Sequence, residues 1–178
     1  MANNAKTTNK QSKGNQSRQK VAKLTKKIRF AMLSTIDETG SIVSRPMAHQ
    51  AIERGRNLWF FAEDNSRMVN QIKANPQVGV ALSSKDSWVS IAGQAKIVRD
   101  QKMNRKLWNA GVSAWLPQGP KDPSVVLIKV KGQTAEYWDT PGGRVASVIS
   151  YAKARITHHR YDGGERAIVE LADTDHRD

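Results

Sequence analysis

Residues 30–62 read FAMLSTIDETGSIVSRPMAHQAIERGRNLWFFA, and this stretch decides the fold class. Phe30 to Ile36 is an apolar, β-compatible run ending in Asp37-Glu38-Thr39-Gly40, a turn with glycine late in it, where a positive φ is commonly required. Ser41 to Ile52 resumes as a second strand. Arg54-Gly55-Arg56-Asn57 turns the chain again, and Leu58 to Ala62 forms a third strand, too continuously apolar to leave one face in water.

Downstream, Ser66 is placed to cap a helix whose buried stripe is Val69 and Ile72 and which Asn75-Pro76 stops. Val78–Leu82 and Trp88–Val98 read as two further strands, the second with a bulge expected at Gly93. Asp100 caps a helix through Met103 and Leu107-Trp108, with Gly111 expected just past its end. A Pro/Gly loop, Leu116 to Pro123, has Trp115 at its mouth. Val125–Trp138 reads as a long strand that alternates best at its start, Arg144–Ile156 as a helix and Ala167–Leu171 as a final strand. Six or seven antiparallel strands, hairpin-linked early and interrupted by helices later, describe a mainly β protein: a barrel with short helices at its ends.

Upstream, residues 1–18 are almost devoid of apolar side chains and read as a disordered basic tail, with the folded domain over residues 19–172 and a short tail over 173–178. From Gln19, Val21, Leu24 and Ile28 form the stripe of a short amphipathic helix. The net charge of +13 is concentrated here: residues 1–30 hold nine cations and no acid, leaving +4 over the other 148 residues. The absence of cysteine excludes disulfides, thiolate nucleophiles and Cys-ligated metals. No apolar run approaches the ~18–20 residues needed to span a bilayer, and no apolar stretch follows the N-terminal charges. These features agree with a cytoplasmic location.

Five segments in order carry a family resemblance: Ser44-Arg45-Pro46-Met47, Leu58-Trp59-Phe60-Phe61, Ser66-Arg67, Trp88 to Gly93, and Trp115-Leu116-Pro117-Gln118-Gly119 with Tyr137-Trp138-Asp139 downstream. Over about Ala22 to Asp139 the chain resembles the pyridoxamine 5'-phosphate oxidase-like, FMN-binding split-barrel family, and within it the general stress protein subgroup. The resemblance implies an antiparallel split barrel that holds FMN at the interface of a homodimer. It implies cofactor contacts from Arg45, Pro46, Met47, Phe61, Ala62, Ser66, Arg67, Met68, Trp115 and Trp138, the two tryptophans reaching the flavin from the partner subunit. The residue chemistry agrees. Where a loop enters a helix, free backbone N–H groups, the Ser66 hydroxyl and the Arg67 guanidinium can converge on a phosphate, although the same pair also reads as a cap beside a solvated arginine. Arg45 reads as a second anion partner or as an edge-strand arginine facing water. Phe60, Trp59 and Trp108 read as packing.

Three departures narrow the function. Met68 stands where many relatives carry a lysine at the phosphate, Gln50 stands where the oxidases proper carry another, and Trp138 is not followed by the Arg-x-His-x-Arg segment that grips a vitamin B6 phosphate. These argue against vitamin B6 oxidation. The expectation is a flavin-dependent oxidoreductase acting on an unidentified small molecule, the flavin performing the redox step without a catalytic side chain. The alternatives are a non-catalytic flavin-binding stress or sensor protein, and nucleic-acid binding through the basic tail, which would be sequence-blind because the tail has no aromatic residue. Deazaflavin F420 and haem are alternative cofactors; His49, His158 and His159 are the weak candidates for a haem ligand. The adjacent pair His158-His159 reads as solvated, and no metal site is expected.

Overall fold

In the computed structural model, which describes residues 2–53, 56–140 and 165–171, the opening stretch forms three consecutive antiparallel strands: β1 (Phe30–Ile36), β2 (Ile42–Glu53) and β3 (Asn57–Glu63). Gly40 takes φ +82° in the first turn, the conformation that favours glycine there. Helix α2 (Arg67–Ala74) leads to β4 (Gln77–Ser83) and β5 (Ser87–Val98). Helices α3 (Gln101–Leu107) and α4 (Ala110–Trp115) precede the long β6 (Val125–Asp139) and the last strand, β7 (Glu165–Glu170). The strand order is β3-β2-β1-β4-β5-β6-β7, and a further ladder between β3 and β6 closes the first six into a barrel, with β7 outside the closure. Among the described residues no helix is long and apolar enough to cross a membrane.

The continuous apolarity of β3 follows from two cores. Leu58, Phe60 and Ala62 face the barrel interior with Leu33, Val80, Ile91, Val126 and Ile128. Trp59 and Phe61 face the other way, beneath α3 and α4, where they pack with Val112, Leu116, Val125 and Leu127. Phe61 meets Trp108 edge-on, ring centroids 5.2 Å apart. For the same reason Val125–Ile128 are all buried, and β6 alternates only farther along, which corrects the expectation of clean alternation at its start.

Gly111 does not end the α3 helix. Trp108 terminates it, and Asn109 starts α4 by accepting hydrogen bonds from the N–H groups of Gly111 and Val112. The segments read as Arg144–Ile156 and His158-His159 lie outside the described residues.

β6 changes partner midway: residues 125–131 pair with β3, residues 134–139 with β7, and β5 runs along its other edge. Gly93 and Gly132 face each other at this switch, where the β5–β6 register shifts: Ala92 faces Thr134 and Gly93 faces Gly132, so the extra residue is Gln133 on β6, across from the position in β5 where the bulge is expected. A Cβ on Gly93 would overlap the Lys131 carbonyl.

Helix α1 (Ala2–Lys27) covers one end of the barrel with Val21, Leu24 and Ile28. It begins far ahead of the expected boundary at residue 18. Helix growth from a docked turn needs no new nucleus, so packing at Val21–Ile28 carries the helix back into polar sequence. Two tail cations are used as ties: Arg18 Nε donates to the Glu170 carbonyl (2.9 Å), and Lys20 Nζ meets Asp139 (2.5 Å) and Glu165 (3.3 Å). Tyr137 donates to Glu165, and Ser87 to Asp139. Burial works to raise the Asp139 pKa, but the hydrogen bonds from Lys20 and Ser87 prevail and lower it. Glu165 is lowered first by Tyr137 and then by Lys20. Lys20 is raised, chiefly by Asp139.

Gly93→Ala is expected to cost about 1–3 kcal/mol through overpacking against the β6 backbone, read as a lower melting temperature. The tie of α1 has a definite pH dependence. The lowered carboxyls stabilise it above their ordinary range near ~4, and that contribution is lost as pH falls through their folded values. The raised lysine contributes below its ordinary value and loses its effect only at strongly alkaline pH. Asp139→Asn should therefore lower the melting temperature at pH 7 and flatten its decline between pH 6 and 3, measured by calorimetry.

Candidate functional site

β2 and β3 pair only from Glu53↔Asn57 to His49↔Phe60, with a register shift between His49 and Ala51. Beyond that point the two strands part. Pro46, Met47 and Ala48 on β2 and Phe61, Ala62 and Glu63 on β3 line opposite sides of a cavity of about 540 Å³. Over this stretch β2 is paired with β1 alone, so Pro46, which has no N–H, falls where one side of the strand is free. Gly111, Val112, Ala114, Trp115 and Leu116 close a third side from α4 and the residue after it. Ser66 and Met68 stand at the Pro46–Glu63 end, since Ser66 N–H donates to the Glu63 carbonyl; Arg29, Phe30 and Gln50 stand at the other, where Phe30 is opposite Ala48.

The Ser66 end is rich in donors. Ser66 Oγ accepts from the N–H of Val69 (3.4 Å) as the N-cap of α2, and the first-turn N–H groups of Arg67 and Met68 have no carbonyl one turn back. Beside them Arg45 reaches to the end of the barrel. Its guanidinium donates to Thr35 Oγ1 (2.9 Å) and Gln71 Oε1 (3.0 Å), and Thr35 donates to the same Gln71 oxygen (2.7 Å). Both partners are neutral, and among the described residues no carboxylate pairs with Arg45. Burial and then the charge of Arg67 lower the Arg45 pKa, although the guanidinium stays charged. Gln71 Nε2 is buried in the same cluster without a partner. Arg67 itself lies outward, 3.2 Å from Asp37 and 3.3 Å from Glu38. Free backbone N–H groups and the Arg45 charge, which has no carboxylate partner among the described residues, stand together here and suit a phosphate; the Glu63 carboxylate on the same wall accepts from Gln118 Nε2 (3.2 Å).

Residues 16–162 match the model of the family described as pyridoxamine 5'-phosphate oxidase like. The chain belongs to that family. It is 33% identical over 141 residues to protein bli-3 of Neurospora crassa, covering 72% of this chain and 68% of the relative. A structure of general stress protein 26 from Jannaschia sp. CCS1 superposes with a TM-score of 0.67 at 25% identity, over 80% of this chain and 90% of that one. A pyridoxamine 5'-phosphate oxidase-related, FMN binding protein from Nostoc punctiforme PCC 73102 shares the fold at a TM-score of 0.53 and 15% identity, covering 82% and 87% of the two chains.

Of the residues that the sequence nominates in this pyridoxamine 5'-phosphate oxidase-like chain, Pro46, Met47, Phe61, Ala62, Ser66 and Met68 line the cavity, as does Trp115, which stands at the end of the chain's own α4 where a partner subunit's indole is expected. Arg45 and Arg67 stand behind and outside its Ser66 end. Trp138 is elsewhere: it sits on β6 opposite Trp88, with Arg166 over its ring at 5.4 Å. Met68 is also part of the barrel core, so the position of the usual lysine is filled by a buried thioether. His49 does not line the cavity. Its Nε2 donates to the carbonyls of Ile28 (2.6 Å) and Thr25 (3.1 Å), tying β2 to α1. Trp59 is packing, and Trp108 is part-buried packing against the same cluster.

Sequence reading missed Gln71, Thr35 and Arg29. Gln71 carried a signal, a polar side chain beside Ile72 on a helix with an apolar stripe. Arg29 was hidden among the tail cations. The α4 wall was missed because Gly111 reads as a terminator, although Asn109 is a proper cap.

Ser66→Ala should cost about 1 kcal/mol of stability by leaving the start of α2 uncapped, detectable by denaturant titration.

Proposed function

We propose that this chain binds FMN in the split between β2 and β3 and acts as a flavin-dependent oxidoreductase on a small molecule, with a second copy of the chain completing the site. The observation that carries this reading is the cavity's polarity: an end rich in backbone and hydroxyl donors at Ser66, with Arg45 behind it, joined to an apolar slot between Met47–Ala48 and Phe61–Ala62. The description of the Nostoc relative as FMN binding supports it. Ser66, the first N–H groups of α2 and Arg45 would hold the phosphate, and Arg67 reaches it by leaving Asp37 and Glu38. The slot excludes water from the ring, while the edge of β3 that has lost its β2 partner offers backbone groups to the ring's polar rim. Bound FMN supplies hydride acceptance or delivery at its N5 atom. His49 does not line the cavity: its Nε2 is held by two carbonyls and its Nδ1 is buried, so it presents no nitrogen there for a haem iron.

The homodimer is argued from the outer face of the barrel. Phe30 and Met32 on β1 and Trp88 on β5 are exposed, and Ala81, Ser90 and Ala92 project beside them. This largely apolar strip is continuous with the cavity through Phe30. A second copy seated there would cover the cavity and bring in an indole such as Trp138.

FMN is expected to raise the melting temperature of the purified chain and to show its visible bands in the bound state, which NADH or NADPH then bleaches. A chain that gains no stability from FMN overturns the binding reading; bound flavin that no donor reduces overturns the oxidoreductase reading. Ser66→Asp separates cap from site. Aspartate caps α2 as well as serine, so the melting temperature of the free chain should hold, whereas its charge should abolish the response to FMN.

A further inference from the structure

Among the described residues the cation on the cavity wall itself is Arg29, at the end away from Ser66. Arg29 is the last residue before β1, its carbonyl fixed by the His49 N–H (3.3 Å). Its guanidinium lies 5.8 Å from the centre of the Phe30 ring and packs so closely on α4 that a Cβ at Gly111 would overlap Nη2. Among the described residues it meets no carboxylate and no hydrogen-bond acceptor. An unpaired guanidinium at an apolar cavity wall is a group in want of an anion. From Pro46, at the Ser66 end, to Gln50, at this end, is four residues of strand, about 13 Å at ~3.3 Å per residue. One phosphate cannot touch both ends. Between them, Trp115, 82% exposed on the rim, and the buried Val112 and Leu116 offer an apolar surface.

We propose that Arg29 is a specificity-determining residue of a second anion subsite, which takes the carboxylate or phosphate of a flat, apolar-bodied substrate lying against Trp115. That the occupant is a substrate rests on the flavin reading above; the anion subsite itself does not.

The test uses the full chain, with and without saturating FMN, titrated with benzoate, phenyl phosphate and the neutral benzamide, and read by tryptophan fluorescence and melting temperature. At least one of the two anions should bind about tenfold or more tightly than benzamide, as a charge-assisted pair implies. Arg29→Gln should erase that preference, Arg29→Lys should retain most of it, and neither should change the affinity for FMN. The tighter of the two anions identifies the group the subsite prefers. Equal binding of benzamide and both anions, or anion preference unchanged in Arg29→Gln, overturns the proposal, as does loss of FMN affinity in that variant, which would assign Arg29 to the cofactor. If FMN fails to stabilise the chain while Arg29-dependent anion binding persists, the flavin reading falls and the subsite stands.

Discussion

The site depends on one interruption: the β2–β3 ladder stops after His49↔Phe60. Elsewhere the barrel satisfies its backbone by closing on itself, but here two neighbouring strands separate while each keeps its other partner. β1 continues to hold β2, and β6 continues to hold β3, so the opening does not unravel the sheet. Pro46 offers no donor on the freed side. The register shift between His49 and Ala51 comes just before the strands part, as bulges do where a ladder is redirected. α2 then fills the barrel end, and α3 and α4 form a second apolar layer over Trp59 and Phe61. That layer is what makes the opening a cavity rather than a solvent-filled gap.

Charge is distributed to match this architecture. The basic N-terminal segment spends Arg18 and Lys20 on the carbonyl of Glu170 and the carboxylates of Asp139 and Glu165, so part of the high net charge holds a helix against the barrel. Around the cavity the arrangement is the reverse. Arg45 is held by neutral oxygens only, Arg29 meets no acceptor among the described residues, Asp37 and Glu38 engage the outward Arg67, and Glu63 on the cavity wall accepts from Gln118. Arg45 behind one end of the apolar slot and Arg29 on the wall at the other thus have no carboxylate partner among the described residues, the feature on which the proposal of an anionic ligand rests. The exposed apolar strip on β1 and β5 supplies the corresponding argument for a second copy, because Phe30 belongs to both the strip and the cavity.

Local rules determined most of the fold. The turn at Gly40, the cap at Ser66, the stop at Asn75-Pro76 and the cap at Asp100 are all short-range effects of backbone stereochemistry, and each was legible in the chain itself; the register shift opposite Gly93 was legible only as to place, since its extra residue, Gln133, lies on β6. The seven residues that prove to line the cavity were nominated by family resemblance and not by spacing or composition. Sequence could not determine which residues face one another across the barrel. The pairing of Arg45 with Thr35 and Gln71, the approach of Arg29 to Gly111 and the removal of His49 to the α1 junction join residues remote in the chain. Pairing energies of that kind exist only after closure has fixed strand order and register. Helix α1 shows the same division: its apolar stripe at Val21, Leu24 and Ile28 was written locally, but its full length came from docking, because a packed turn removes the cost of starting a helix. What the sequence settled alone were conformations one residue's neighbours can enforce; which groups share the cavity was settled by the closure of β3 onto β6.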